Sequence, residues 1–558
     1  MRSYIHAIKL LSIWTLVLLA GCAREEVEPL GEEDVCDEVY LNIRLDIDNG
    51  AGQSRANRPI EDGEITVEGT VNENAINSLQ LFWKENGGWR MLNLGAADLA
   101  SIRNGKSIKI AFDKDDYPAL EQEGIKMWLG ANLSTAQAEA FMTDNGVYKL
   151  TAATWAGELA PMYSDFTGRS DIAMFCAESG TTTKSDSLDD EYSISFRLKR
   201  LVAKVLVACK ADEDGYANTP NPNTTNGLDG WIKQSEVQYT LNGVNQSTYI
   251  MQQVQDGTDY DANVTDPNPN LTTYADLYNK DDERQYLASV NSDFYYRDVT
   301  NLMLNAGLYR NAVLAQDNAN YTDGVYCPEN TFNAVQDAGK LNDNPSAWGM
   351  ITSVSIKAKF TPRKLYVEGG LFDYILSHNA ADLTQSVKDA VRALKSEVKS
   401  EFQIVDNDTY SVNCQTEEVA KAFLKYSLVY NKFLTNEMLA NNGFPDETYF
   451  YHSENNGYYT YGAAKIRYGA ADNTTQLGNY QPYYDGWGFY YTYIDNRLEK
   501  NGDFTFYRHG QVERNRYYIL TINSFSSPGS SVGDANYVEV NTNVLPWKNG
   551  GKGEITLE

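Results

Sequence analysis

"VYLNIRLDI" (residues 39–47) sets Val39, Leu41, Ile43, Leu45 and Ile47 in alternation with Tyr40, Asn42, Arg44 and Asp46. A period of two predicts a β-strand with one buried face. The run ends in "DNGAGQSRANRP" (residues 48–59), whose small and polar residues predict an exposed loop open to proteolysis. Further strands are expected at "ITVEGTV", "INSLQLFWKE", "SIKIAFD" and "IKMWLGANL", with a short helix at "STAQAEAFMT". Strands at this spacing, punctuated by turn residues, predict a mainly β protein built as a sandwich with sparse helix.

At 558 residues the chain is too long for one ordinary core. The polar stretch "ESGTTTKSDSLDDE" precedes a second apolar run, "YSISFRLKRLVAKVLVAC" (Tyr192–Cys209), and places a domain boundary near 190. The expected division is an N-terminal domain over 37–190 and a C-terminal one over 191–558. The latter continues through "SEVQYTLNG", "SVSIKAKFTP" and "RYYILTINSF". An Asn/Pro/Thr-rich stretch occupies 215–272. Helical patterns around 381–401 and 417–439, with the aromatic runs "YFYHSENNGYYTYGAAKIRYG" and "YQPYYDGWGFYYTYI", predict a helix- and Tyr-rich insertion over about 370–500.

The tail "NYVEVNTNVLPWKNGGKGEITLE" (residues 536–558) resembles a strand rather than a frayed end. Val538, Val540, Thr542 and Val544 alternate with Glu539, Asn541 and Asn543, and Ile555 and Leu557 resume the pattern. Either it is the last strand of its own domain or it pairs elsewhere.

The net charge of −29 repels a polyanion, which excludes nucleic acid as a partner. Arg2 and Lys9 precede "LLSIWTLVLLAG", a basic then short apolar segment of an export signal over residues 1–21. "LAGC" (Leu19–Cys22) matches a bacterial lipobox, in which the cysteine is acylated, so Cys22 is the expected lipidation site. Residues 22–36 are acidic and aperiodic, as a tether is. The remaining five cysteines, Cys36, Cys176, Cys209, Cys327 and Cys414, have no CxxC spacing and are expected to be buried thiols.

Catalytic chemistry has little to stand on. His378, His452 and His509 are isolated, with no HExxH, GxSxG, Walker or GxGxxG motif, so no metal, cofactor or catalytic residue is assigned. Seventy-six acidic residues would supply a glycosidase pair by accident. The aromatic residues 448–493 admit glycan stacking or an insertion core.

The two ends of the chain complement each other. If the loop after the first strand is cut and that strand leaves, it opens an apolar groove flanked by unpaired backbone. The tail of another copy has the alternation to fill it. Four or five buried aliphatic residues give about 6–15 kcal/mol before ordering costs. Repeated head to tail, such a contact does not close and yields a filament.

"INSLQLFW", "IKMWLGANL", "RLKRLVAKVLVA", "IKAKFTPRK", "VERNRYYILTI" and "VEVNTNVLPWK", in this order after the lipobox, resemble the fimbrillins, donor-strand pilus subunits of Bacteroidetes, and among them the short-fimbria stalk type of Porphyromonas. The resemblance implies two transthyretin-like β-sandwich domains and a non-enzymatic subunit. It implies an outer-membrane lipoprotein precursor that an arginine-specific surface protease converts into an extracellular fimbrium for adhesion, biofilm formation and virulence. Partners implied are other copies of the chain, anchor and tip subunits, the membrane through lipid before cleavage, and host glycans or proteins as ligands. The cut is expected between Arg55 and Ala56, since Arg58 precedes Pro59. Two other readings are a lipid-anchored outer-membrane glycan-binding protein and a fimbrial tip adhesin.

Overall fold

The computed structural model describes residues 38–47, 75–103, 107–113, 123–144, 149–151, 172–176, 179–185, 191–217, 228–242, 244–245, 247–251, 294–295, 309–315, 324–328, 352–400, 404–406, 408–432, 446–468, 480–497, 507–509, 512, 514–531, 543–546 and 553–557. Strands dominate them, as expected of a mainly β chain.

The first sheet contains β1 (Glu38–Ile47), β2 (Leu79–Glu85), β3 (Gly88–Asn93), β4 (Ile108–Asp113), β5 (Lys126–Ala131), β6 (Met174–Cys176) and β7 (Glu191–Arg200) in the order β3-β2-β5-β6-β7-β1-β4. β2 and β3 form a hairpin on Asn86-Gly87, both at positive φ, a conformation Asn and Gly tolerate and a two-residue turn requires. The sheet folds over on itself. Trp83 of β2 meets Phe112 of β4 edge to face, 6.4 Å between ring centroids, although four strands separate them in the order. Val39, Leu41, Leu81, Leu129, Ile194 and Phe196 share the enclosed core. Helix α1 (Thr135–Thr143) covers the outer side and starts in a capping box. Ser134 Oγ accepts from the Gln137 N–H and Gln137 Oε1 from the Ser134 N–H.

The second unit is a sandwich. One sheet pairs β8 (Val202–Cys209) in parallel with β12 (Arg516–Phe525). The other has β9 (Gly230–Asn242), β10 (Ser353–Pro362) and β11 (Trp487–Tyr493) in antiparallel order. Val205, Val207, Tyr239, Ile356, Leu520 and Ile522 meet between the sheets. β8 is buried along its whole length. Its other face, Leu206 and Ala208, packs with Tyr517 and Ile519. A strand covered on both sides reads as a continuous apolar run rather than an alternating one.

The structure places two stretches that the sequence singled out. The run Tyr192–Cys209, read as opening the C-terminal domain, is split between the two sheets: β7 pairs with β1, β8 with β12, and only Leu201 separates them. The period changes at that residue, since β7 alternates buried and exposed whereas β8 does not. The tail supplies β13 (Asn543–Pro546) and β14 (Gly553–Leu557), both laid on the free edge of β12, the first antiparallel and the second parallel. In this state its last segments are strands of their own sheet.

Between β10 and β11 the chain builds a third sheet and helices α2 (Gly369–Ser377), α3 (Gln385–Ser400) and α4 (Glu417–Tyr430). The helical pattern expected around 381–401 is α3 and that around 417–439 is α4, whereas α2 had no counterpart among the expected helices. The tyrosines form the core of this insertion. Tyr449 and Tyr483 stack at 4.8 Å, Tyr366 and Tyr459 at 4.5 Å. Tyr449 and Tyr459 have no exposure. The Tyr449 hydroxyl is buried without a hydrogen-bond partner among the described residues. Tyr449→Phe should therefore be neutral or stabilise by up to about 1 kcal/mol, because a buried unpaired hydroxyl carries only its desolvation cost. Urea unfolding checks this, and a loss above 1 kcal/mol would mean that the hydroxyl is bonded.

Ion pairs tie the insertion to the sandwich. Glu417 of α4, its side chain 2% exposed, meets Lys233 Nζ at 2.8 Å and Lys421 Nζ at 2.9 Å and accepts from the Tyr216 hydroxyl at 2.9 Å. Lys421 continues to Glu447 at 3.2 Å, and Lys359 joins Glu447 to Asp485. Burial raises the Glu417 carboxyl, but hydrogen bonds from Lys233 and Lys421 outweigh it and hold the group below 4.5. A carboxyl lowered by folding contributes stability that is complete above its unfolded pKa and lost as pH falls through the folded value. Glu417→Gln should cost about 2–3 kcal/mol at pH 7, the low side for a buried pair because both lysines keep some solvent. The difference from wild type should close below pH 4.5. Urea midpoints followed from pH 7 down through the acid range read it out, and a gap that never narrows as the pH falls would contradict the assignment.

Candidate assembly groove

The alternation of "VYLNIRLDI" sends Val39, Leu41 and Ile43 into the first core, at 2%, 2% and 0% exposure. Leu45 is half-buried, and the side chain of Ile47 lies outside the described residues although its backbone ends β1. β1 is an interior strand. On one side it runs parallel to β7, with Leu41 opposite Tyr192 and Ile43 opposite Ile194. On the other it runs antiparallel to β4, with Val39 opposite Phe112, Leu41 opposite Ile110 and Ile43 opposite Ile108. Taking β1 away would leave a slot with backbone donors and acceptors on both walls and three aliphatic pockets in its floor. Those three side chains are worth about 5–9 kcal/mol in transfer free energy.

The outward face of the slot is polar. Asn42 donates its amide to Glu191 Oε1. Lys109 Nζ lies 3.4 Å from Glu191 Oε2 and 4.4 Å from the Tyr40 ring centroid. The Asn42 hydrogen bond, with help from Lys109 and against partial burial, holds the Glu191 carboxyl below its usual value. Sequence reasoning missed Glu191 and Lys109, since nothing local marks residues brought together from strands far apart in the chain.

The other expected site residues are placed as follows. Cys22, Arg55, Ala56, Val538, Val540 and Thr542 lie outside the described residues. Val544 falls in β13 opposite Tyr518, and Ile555 and Leu557 fall in β14 opposite Ile522 and Phe525, with their side chains outside the description.

The groove and β12, on which the tail lies, are linked through a short path. At the end of β7, Arg200 is fully buried and donates from Nη1 to Asn515 Oδ1 at 3.0 Å. Asn515, at φ +59°, donates its N–H to the Val202 carbonyl. Neighbouring Arg514 donates to the carbonyls of Tyr249 and Ile250 at 2.7 and 2.9 Å. Ile250 belongs to the first core.

Cys176, Cys209, Cys327 and Cys414 are buried and form no disulfide among the described residues, in keeping with structural thiols, and Cys36 lies outside the described residues. Burial pushes the Cys209 and Cys414 thiols up to about 12. No group of His, Cys, Asp and Glu among the described residues could hold a metal ion, and no described helix is long and apolar enough to cross a membrane.

No protein-family model matches the chain, and no curated protein does. Among solved structures it is similar to fimbrial and cell-adhesion proteins of Bacteroidetes. A Parabacteroides distasonis chain whose proposed role is cell adhesion shares 8% identity at a TM-score of 0.33, over 93% of this chain and 99% of that one. A fimbrilin, FimA, from Porphyromonas gingivalis shares 11% at 0.32, over 93% and 98%. The tip fimbrial protein Mfa3 of the same organism, with a C-terminal truncation, shares 11% at 0.28, over 91% and 100%.

Proposed function

We propose that this chain is a structural subunit of a cell-surface fimbrium, with no enzymatic role, that polymerises by donor-strand exchange. The precursor is exported and acylated at Cys22, held at the outer membrane, and cut between Arg55 and Ala56. β1 then leaves, and the tail of a second copy, through Val538, Val540, Thr542 and Val544, enters its slot. Repetition builds an extracellular filament that serves adhesion and biofilm formation. The observation that carries this reading is the position of β1: an interior strand with a buried aliphatic face, immediately before the Arg55 loop. Loss of an interior strand leaves two hydrogen-bonding walls, and β1 is an interior strand followed directly by the expected cleavage loop. The tail has a cost to meet, since it must first release the edge of β12.

Peptide capture tests the mechanism. A synthetic peptide of residues 536–558 should bind the chain cut after Arg55 and freed of β1, one to one, and should leave the uncut chain alone. Equal binding to both would show that the slot is not the acceptor. The buried tyrosine core gives no support to a glycan-stacking surface.

A further inference from the structure

β4 and β7 flank β1 on opposite sides, yet Lys109 of β4 pairs with Glu191 of β7, so the ion pair spans the strand between them. Tyr40 sits opposite Glu191 and Asn42 opposite Lys109 in the two ladders. Asn42 satisfies Glu191 from below. Any strand that takes the place of β1 therefore presents two outward residues, at the positions of Tyr40 and Asn42, to an ionised carboxylate. An amide there restores the bond. A second carboxylate is repelled.

Resting on the donor-strand reading above, we infer that the Glu191–Lys109 pair sets the register of the incoming tail, placing Asn541 and Asn543 of a second copy in the positions of Asn42 and Tyr40. The outward residues of the tail are Glu539, Asn541, Asn543 and Leu545. A register with Glu539 in either position sets it against Glu191. A tail running in the direction of β1 seats Pro546 at Ile43 or Leu45, both laddered, where its missing N–H forfeits a bond; running antiparallel to β1, the register with Asn543 and Leu545 there seats it at Val39, laddered too, whereas the register with Asn541 and Asn543 carries it beyond the end of β1. The remaining register, antiparallel to β1, puts Asn541 at Asn42, Asn543 at Tyr40 and Thr542 in the place of Leu41, with Val540 and Val544 in those of Ile43 and Val39. All three are β-branched and suit a pleated, half-buried surface.

Disulfide mapping on full-length precursor, cut with an arginine-specific endoprotease, tests the register. Acceptor copies carry Ile110→Cys, because Ile110 faces Leu41 in the ladder. Donor copies carry Val540→Cys, Thr542→Cys or Val544→Cys, and the four described native cysteines are buried away from the oxidant. Thr542→Cys should crosslink at least about tenfold more than the other two, since a shift of two residues is about 7 Å and exceeds bridging distance. In a second arm, Asn541→Asp with Asn543→Asp should lower fibre yield at least about tenfold through like-charge contact. Glu191→Gln in the acceptor should restore it. A dominant crosslink from Val540→Cys or Val544→Cys, an unimpaired double Asp variant, or no restoration by Glu191→Gln overturns the register and leaves donor-strand exchange standing. Fibres that assemble with no crosslink from any tail position overturn the exchange itself, and the register with it.

Discussion

Arg55→Ala should yield a folded, lipidated chain that forms no fibres, whereas subunits recovered from wild-type fibres should begin at Ala56. Without the cut, β1 stays covalently attached and occupies its own slot. An incoming tail would have to displace a strand that buries three aliphatic side chains and bonds to both neighbours. That costs several kcal/mol, and each 1.4 kcal/mol is tenfold, so yield should drop below about one percent of wild type. Folding should be preserved because β1 belongs to the native sheet. N-terminal sequencing and electron microscopy are the measurements. Normal fibres from the variant, or fibre subunits still carrying Cys22 and β1, would end the proposal.

Removing residues 538–558 should likewise abolish growth, and here the structure adds a complication. β13 and β14 cover the edge of β12, so truncation bares that edge as well as removing the proposed donor. Point variants separate the two effects. Val540→Asp places a charge on the face meant for the groove, and burying it unpaired costs several kcal/mol, so yield should fall on the order of a hundredfold. Glu539→Gln alters the wet face of the same segment and should stay near wild type. The comparison is fibre yield at matched expression, with circular dichroism to confirm folding. Equal yields would mean that the alternation encodes no donor face. Unfolding of the truncated chain would make the tail an ordinary last strand.

Much of the strand pattern was legible because burial writes itself into period. β1 alternates and is half-buried; β2, β4 and β5 occur within the stretches that predicted them; β8 is continuous and covered on both faces. The change of period at Leu201 is also written in the sequence, but the polar stretch before residue 191 drew the boundary ahead of it. Pairing partners were not legible. That β7 lies beside β1, across most of the first unit, depends on which edge is free once the sheet curls, and no local signal carries it. The tyrosines show the same limit. Composition put aromatic rings at 448–493, whereas only packing shows that Tyr449 and Tyr459 face inward. The polar contact of Lys109, Asn42 and Glu191 joins three strands and could not be found along the chain.

The junction at Leu201 has a mechanical meaning. If the slot beside β7 and the tail on β12 are the two attachment points of a fibre subunit, a pull along the fibre enters through β7 and leaves through the sheet of β8 and β12. β7 passes into β8 through one residue, so tension crosses the subunit along covalent backbone rather than across a surface that could peel. Arg200 and Asn515 splice the second strand of that sheet to the same point, while Arg514 braces the Tyr249–Ile250 carbonyls against swivelling. Under stretch the body of the subunit should therefore behave as a stiff link, and rupture should fall at the joints between links.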